Sequence, residues 1–235
     1  MQYRHLEPEE MDDAGLQPDA HQLALAGLAR LNQISFSAPS VWNGLRNAGA
    51  FDGVDSRPLR ILDLATGGGD LPVYLGLRAR KLGIPLSLIG IDRSPVALTS
   101  ARTLADRHGV AVEWTCLDVT LGLIPPADWI TCSLFLHHLP DDQVVALVRS
   151  MAEAASQGII VNDLERSHLN RLLVWLGSRL VSRSPVVHKD SDRSVCASFT
   201  LEETSLLLKA AGLHGTRPER RFPCRFQWTW TKTPR

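Results

Sequence analysis

The chain lacks the marks of several protein classes. Its cysteines number only 4, at positions 116, 132, 196 and 224, with no CxxC pair among them. That spacing offers no disulfide framework and fits the reduced thiols of a cytoplasm. No apolar run approaches the roughly 20 residues a bilayer-spanning helix requires. The first ten residues, MQYRHLEPEE, contain no apolar core of the kind a signal peptide has. Neither sign of charge prevails, with Lys+Arg at 25 and Asp+Glu at 25. A nucleic-acid binder needs a basic surplus or stripe, so none is expected as a partner. What is present is 235 residues of 44% hydrophobic and 21% charged composition, enough to bury a substantial core. The expectation is a cytoplasmic globular protein with no membrane span; its oligomeric state is not legible.

Two organisational zones emerge. In residues 1–58 a loose acidic start gives way to helical spacing of Leu23, Leu25, Leu28 and Leu31. Residues 35–40 interrupt it, and a second helical stretch runs over 41–51. This zone is expected to be a helical cover, having too little apolar surface to fold alone. From residue 59 to 235 short apolar runs alternate with helical patterns. Strands are expected at 59–65, 86–92, 110–116, 129–134 and 159–162, with helices at 71–82, 95–108 and 141–155. Such alternation means βαβ crossovers and a mostly parallel sheet with helices on both faces. Residues 164–198 read as a long helix to 181, then a loop over the ligand site. A further helix opens at Thr200 with a capping box to Glu203. The tail carries two candidate strands, and its alternating aromatic and basic residues suit a half-buried strand better than an RNA-stacking surface.

Chemistry is concentrated where strands end. The run Asp63-Leu64-Ala65-Thr66-Gly67-Gly68-Gly69-Asp70 is a strand closed by glycines before a helix. Glycines there let backbone N–H groups approach a ligand, since no Cβ intervenes. Counting G-x-G-x-x-G from Gly67 puts Pro72 at the third glycine position, and no Gly-Lys-Ser/Thr follows. Pyrophosphate and Walker-type loops are thus incomplete. A carboxylate four residues ahead of Gly67 would repel a pyrophosphate yet accept from an ammonium. Asp92, at the next strand end, is placed to take ribose hydroxyls. Asp118, after the third strand, is an acceptor suited to an exocyclic amine. Three acids at successive carboxyl-terminal strand ends face one crevice of an open α/β sheet.

With Ile91-Asp92, Leu117-Asp118-Val119 and the run 128–139 (DWITCSLFLHHL), these motifs resemble the class I S-adenosylmethionine-dependent methyltransferases over about residues 59–163. The small-molecule, quinone-biosynthesis-like branch is the more specific likeness. The resemblance implies a Rossmann-like doubly wound α/β fold, seven strands with the last antiparallel, behind the helical N-terminal cover. It implies S-adenosyl-L-methionine as cofactor, with Asp63, Ala65, Gly67 and Gly69 beside the methionine moiety. Asp92 and Arg93 would then serve the ribose, Asp118 and Val119 the adenine, and Leu134 the pocket wall. Ala65 departs from the family's usual first glycine.

Methyl transfer from a sulfonium chiefly needs positioning in a dry pocket, and a base only for a neutral hydroxyl or amine acceptor. His137 and His138 follow strand four and are the first base candidates; His188 is another. Each has a plain packing, capping or solvated alternative. His188, Asp190 and Asp192 match no zinc or EF-hand spacing, so no metal is expected. The expected activity is methyl transfer to oxygen or carbon of a small aromatic, polyketide or quinone-like molecule. A nicotinamide oxidoreductase and a non-catalytic S-adenosylmethionine-binding module are the alternatives.

Overall fold

The computed structural model describes residues 1–232 except 2, 13–14 and 55–56. Seven strands form one sheet: β1 (Leu59–Leu64), β2 (Leu86–Asp92), β3 (Glu113–Cys116), β4 (Ala127–Ser133), β5 (Ala155–Leu164), β6 (Glu219–Arg221) and β7 (Arg225–Thr231). Their spatial order is β3-β2-β1-β4-β5-β7-β6. The first five are mutually parallel, and β7 runs antiparallel to both β5 and β6. This is the Rossmann-like doubly wound sheet that the alternation of strand and helix patterns implies.

Eight α-helices accompany it among the described residues: α1 (Pro18–Ile34), α2 (Ser37–Asn47), α3 (Asp70–Leu82), α4 (Pro95–His108), α5 (Asp141–Ala154), α6 (His168–Val181), α7 (Pro185–Ala197) and α8 (Leu201–Ala210). Successive strand residues point to opposite faces, so each strand feeds two cores. On one face Ile61, Leu88, Trp129 and Ile160 pack with Val41, Trp42 and Leu45 of α2 and Leu75 of α3. On the other Leu62, Ile89, Ile130 and Ile159 pack with Val144, Leu147 and Met151 of α5 and Leu208 of α8. Helix starts follow local chemistry. The Ser94 hydroxyl accepts from the Ala97 amide at 3.2 Å, with Pro95 in the first turn. Thr200 and Glu203 satisfy each other's backbone amides reciprocally.

Four expectations need correction. Residues 185–197 are helical, not a loop: Ser184 caps the Val187 amide at 3.4 Å and Pro185 opens the first turn. Within 35–40 the break is confined to Ser35 and Phe36, the latter left-handed at φ 52°, and α2 starts at Ser37. That helix is a wall of the sheet's core, whereas α1 is the covering element, with Leu28 and Leu31 packed on Val186 and Val187. The acidic start, residue 2 aside, is pinned down. Arg4 lies 3.8 Å over the Phe199 ring and donates to the carbonyls of His137 (2.8 Å) and Leu139 (2.6 Å). The His5 amide donates to the Cys196 carbonyl at 3.0 Å, and the Glu10 and Met11 amides to Asp190 at 2.9 and 3.0 Å. All these partners lie more than a hundred residues away in sequence, so no local periodicity announces the segment.

Candidate active site

In this strand order the sheet changes direction of progression between β1 and β4, which opens a crevice at their carboxyl ends. The turn after β1 enters that crevice through left-handed backbone at Ala65 (φ 51°), Gly67 (φ 54°) and Gly69 (φ 79°). Gly69 is held by crowding as well, since a Cβ there would lie 2.8 Å from Trp114 and 2.9 Å from Ala101. At Gly67 a Cβ would meet nothing within 4 Å, because the position faces open cleft. Ala65 carries a side chain where left-handed backbone costs about 1–2 kcal/mol. Ala65→Gly is therefore expected to raise folding stability by up to about 1 kcal/mol in urea unfolding, the glycine's own chain entropy offsetting the rest.

Asp92 ties this turn to the next strand end. Its Oδ2 accepts from the Gly67 amide at 2.8 Å and its Oδ1 from the Ser94 amide at 2.9 Å. A carboxylate has about four acceptor sites, so capacity remains for two further hydroxyls. Asp118 uses Oδ1 for the amide and hydroxyl of Thr120, at 2.9 and 2.7 Å. Those bonds hold its carboxyl below the ordinary carboxylate range. Val119 behind it is buried. Together Ala65, Gly67, Asp92, Arg93, Asp118 and Leu134 border a cleft of about 400 Å³.

Asp63 sits beneath this cleft rather than on its wall. Its two oxygens accept from the hydroxyls of Thr131 and Thr66, both at 2.7 Å. Burial pushes its carboxyl up to about 7 against those two hydrogen bonds, with the charges of Asp92 and Asp70 adding to the rise.

A second cavity, of about 260 Å³ and mostly apolar, adjoins the first. Leu31, Ile34, Leu164, Leu173 and Val174 line it, with the buried Arg225 at one side. Arg225 donates to Asn32 Oδ1 at 3.0 Å and to Ser35 Oγ at 2.7 Å, and burial lowers its guanidinium to about 10. Glu9, Leu28, Leu134 and His138 border both cavities, so they mark the junction. Leu134 reaches it through left-handed backbone, φ 56°, its amide donating to the Asn162 carbonyl at 2.9 Å.

His137 is buried beside that junction, with Nδ1 2.6 Å from Asp163 Oδ1. The His138 ring packs on it at 4.3 Å between centroids. Glu9 Oε1 lies 3.9 Å from Nε2 of His137 and 4.0 Å from Nε2 of His138, and accepts from the Ser194 hydroxyl. These three ligand atoms lie within 4.8 Å of one another. A shared cation needs about 2.0–2.2 Å to each, so the group would have to tighten to hold one. Burial alone would raise Asp163, but the His137 imidazole and the Leu164 amide hold it below its ordinary value.

His188 lies elsewhere. The helical phase of α7 turns Val187, Asp190, Ser191 and Ser194 inward, while the His188 Nε2 lies 2.8 Å from the Ser182 carbonyl on the outer side. It borders a surface groove with Arg171 and Asp192, and it lines neither cavity at the junction. Sequence reasoning missed Glu9 and Arg225.

This sheet order, with the glycine turn and acid-tipped strands at its switch point, is a Rossmann-like doubly wound fold. Residues 61–158 match the family model described as a methyltransferase domain. Among curated proteins the chain is similar to the ubiquinone biosynthesis O-methyltransferase of Chromobacterium violaceum, 26% identical over 125 residues. That alignment takes in 52% of this chain and 51% of the relative, so the chain spans about half the length of the curated relative it matches. Two solved structures share the fold at low identity. A candidate O-methyltransferase from Nostoc punctiforme PCC 73102 aligns with TM-score 0.63 and 16% identity, over 89% of this chain and 60% of that one. Magnesium protoporphyrin IX methyltransferase from Synechocystis PCC 6803, with bound SAH, aligns with TM-score 0.58 and 16% identity, over 95% and 91%.

Proposed function

We propose that the protein transfers a methyl group from S-adenosylmethionine to an oxygen of a small, lipophilic, aromatic or quinone-like acceptor. The observation that carries this reading is the meeting of two cavities of opposite character at Glu9, Leu28, Leu134 and His138. The polar cleft suits the cofactor. Spare acceptor sites on Asp92 fit ribose hydroxyls, Val119 and Leu117 offer an apolar seat for a base, and the bare Gly67 lets main chain approach the amino-acid end. The quinone-like acceptor follows from the apolar second cavity and agrees with the likeness to a ubiquinone-pathway O-methyltransferase.

The cofactor supplies a methyl already activated on a sulfonium, whose thioether departs without acid assistance. The chain's own residues bind, orient and accept a proton. Leu28, Leu134 and the apolar cavity walls exclude water around the acceptor, which raises the effective concentration of its hydroxyl. His137 takes the hydroxyl proton at Nε2, because Asp163 stands behind its Nδ1 and fixes the tautomer. His138, bordering both cavities, shapes the junction.

Asp92→Ala should weaken S-adenosylhomocysteine binding by about 1–3 kcal/mol, since a charged acceptor is lost along with the strap on the Gly67 amide. Isothermal titration measures this, and unchanged affinity would remove the ribose assignment. The overall reading is tested by incubating the protein with labelled S-adenosylmethionine and a panel of lipophilic phenols, then analysing mass. A product heavier by one methylene supports it. Tight NAD(P)H binding with no response to S-adenosylhomocysteine would favour an oxidoreductase instead.

A further inference from the structure

Helix α6 is inside out. Its buried residues are the polar Asn170 and Ser178, while Leu169, Leu172, Leu176 and Leu180 are 65%, 54%, 44% and 84% exposed. With Leu173 these positions follow helical spacing and form one stripe. The inward polar groups are satisfied locally: Asn170 Nδ2 donates to the Glu165 carbonyl at 2.9 Å and the Ser178 hydroxyl to the Trp175 carbonyl at 3.0 Å. The inversion is thus a settled packing. Around the stripe stand two further exposed apolar side chains, Ile34 at the end of α1 and Phe222 in the β6–β7 turn. An apolar patch of this continuity on a chain's surface marks an interaction site.

Two observations identify the occupant. First, between residues 167 and 189 the sequence carries Arg171, Arg179, Arg183 and Lys189 and no Asp or Glu. Arg171 pairs with Asp192 and Lys189 with Glu10, whereas Arg179 and Arg183 form no ion pair among the described residues. Arg179 instead stacks on Trp175, 4.2 Å from the ring centroid. Second, Ile34, Leu173 and Phe222 belong both to the patch and to the lining of the apolar cavity. Through Leu173 the stripe meets that cavity's lining.

We propose that this face of α6 docks on an anionic lipid surface, the leucines in the acyl boundary and the arginines among the headgroups. An amphipathic helix lying in the interface plane with a basic flank has this chemistry. No helix of the described residues is long and apolar enough to cross a membrane, so the attachment is peripheral. A second copy of the chain fits less well. A two-fold contact would set Arg179 and the leucine stripe against their own copies, and Asp192, the acid beside them in the adjoining groove, is already paired with Arg171. The cavity mouth then opens onto the bilayer, from which a lipophilic acceptor enters. That delivery rests on the acceptor reading above; the docking does not.

Sedimentation with lipid vesicles, in the absence of cofactor and acceptor, tests the docking alone. Vesicles of phosphatidylcholine with phosphatidylglycerol should bind the protein about tenfold or more tightly than phosphatidylcholine alone at low salt, and added salt should weaken the binding. Leu176→Glu combined with Leu180→Glu should abolish the binding while leaving the circular dichroism spectrum and S-adenosylhomocysteine affinity unchanged. Leu206→Glu, an exposed leucine of α8 that is 67% accessible, should leave vesicle binding intact. Equal affinity for both vesicle types, or equal loss in the Leu206→Glu control, overturns the proposal. So does a dimer in solution that the double variant converts to monomer.

Discussion

Asp63→Asn should be more stable than the wild-type protein at neutral pH and equal to it near pH 4 (roughly the unfolded carboxyl's own pKa). The carboxyl is buried, and its pKa rises from 3.8 to about 7 on folding. Below the unfolded value both states are protonated and no penalty exists. Between about 4 and 7 the unfolded chain ionises while the folded one resists, so wild-type stability falls as pH rises through this window. The upper limit of the loss is about 4 kcal/mol, from 1.36 kcal/mol per pH unit. Asparagine keeps an acceptor for one threonine and offers a donor to the other, so the bonds now made by Thr66 and Thr131 can persist. Urea unfolding at both pH values, with wild type and variant side by side, reads the difference. A variant less stable than wild type at neutral pH would show that the ionised carboxylate is stabilised by something beyond those hydroxyls. This costly carboxyl lies beneath the cleft proposed for an ammonium-bearing ligand, where its charge would have a use.

Removing Asp163 should have the other large effect. Its Oδ1 lies 2.6 Å from the buried His137 ring and accepts from the Leu164 amide at 2.7 Å. Asp163→Ala strands the imidazole N–H, the amide and the field that Arg4 and Arg225 share with this carboxylate. The cost should be about 3–5 kcal/mol, as when one partner of a buried pair is deleted. The carboxyl is lowered on folding, so its contribution exists above its ordinary pKa and fades as pH falls through the lowered value. Asp163→Asn separates structure from chemistry, since the amide oxygen still accepts from Nδ1–H. That variant should remain folded with cofactor affinity near wild type, yet turn over roughly 100-fold more slowly, because a neutral partner no longer stabilises the imidazolium. Full turnover in Asp163→Asn would leave His137 as a packing residue and make positioning alone responsible for the rate.

Much of the polar cleft proposed for the cofactor was legible in the sequence. Asp63, Asp92 and Asp118 stand at strand ends, and alternating strand and helix periods bring such ends to one edge of a parallel sheet. The glycines declare the turn, since left-handed backbone and close approach leave few other choices. Local signals also placed the α4 and α8 caps, because Ser94, Pro95, Thr200 and Glu203 act within one helical turn. Residues 185–197 were misread because polar and charged residues fill the middle of the stretch, where Asp190, Ser191 and Ser194 take inward positions between Val187 and Val195.

The apolar cavity proposed for the acceptor was decided only by tertiary structure. Glu9 reaches the histidines through a segment held by hydrogen bonds to Asp190, Cys196 and the turn after β4, all distant in sequence. Arg225 enters the cavity because β7 inserts beside β5, a pairing that no local pattern encodes. The outward leucines of α6 show the same division. Periodicity establishes that a helix has an apolar stripe, but only packing determines which way it faces. Sequence alone determined the α/β alternation and the acid-tipped strands, for these depend on contacts within a few residues. The roof, the second cavity and the orientation of α6 depend on which distant surfaces meet, and that is settled by the whole chain closing on itself.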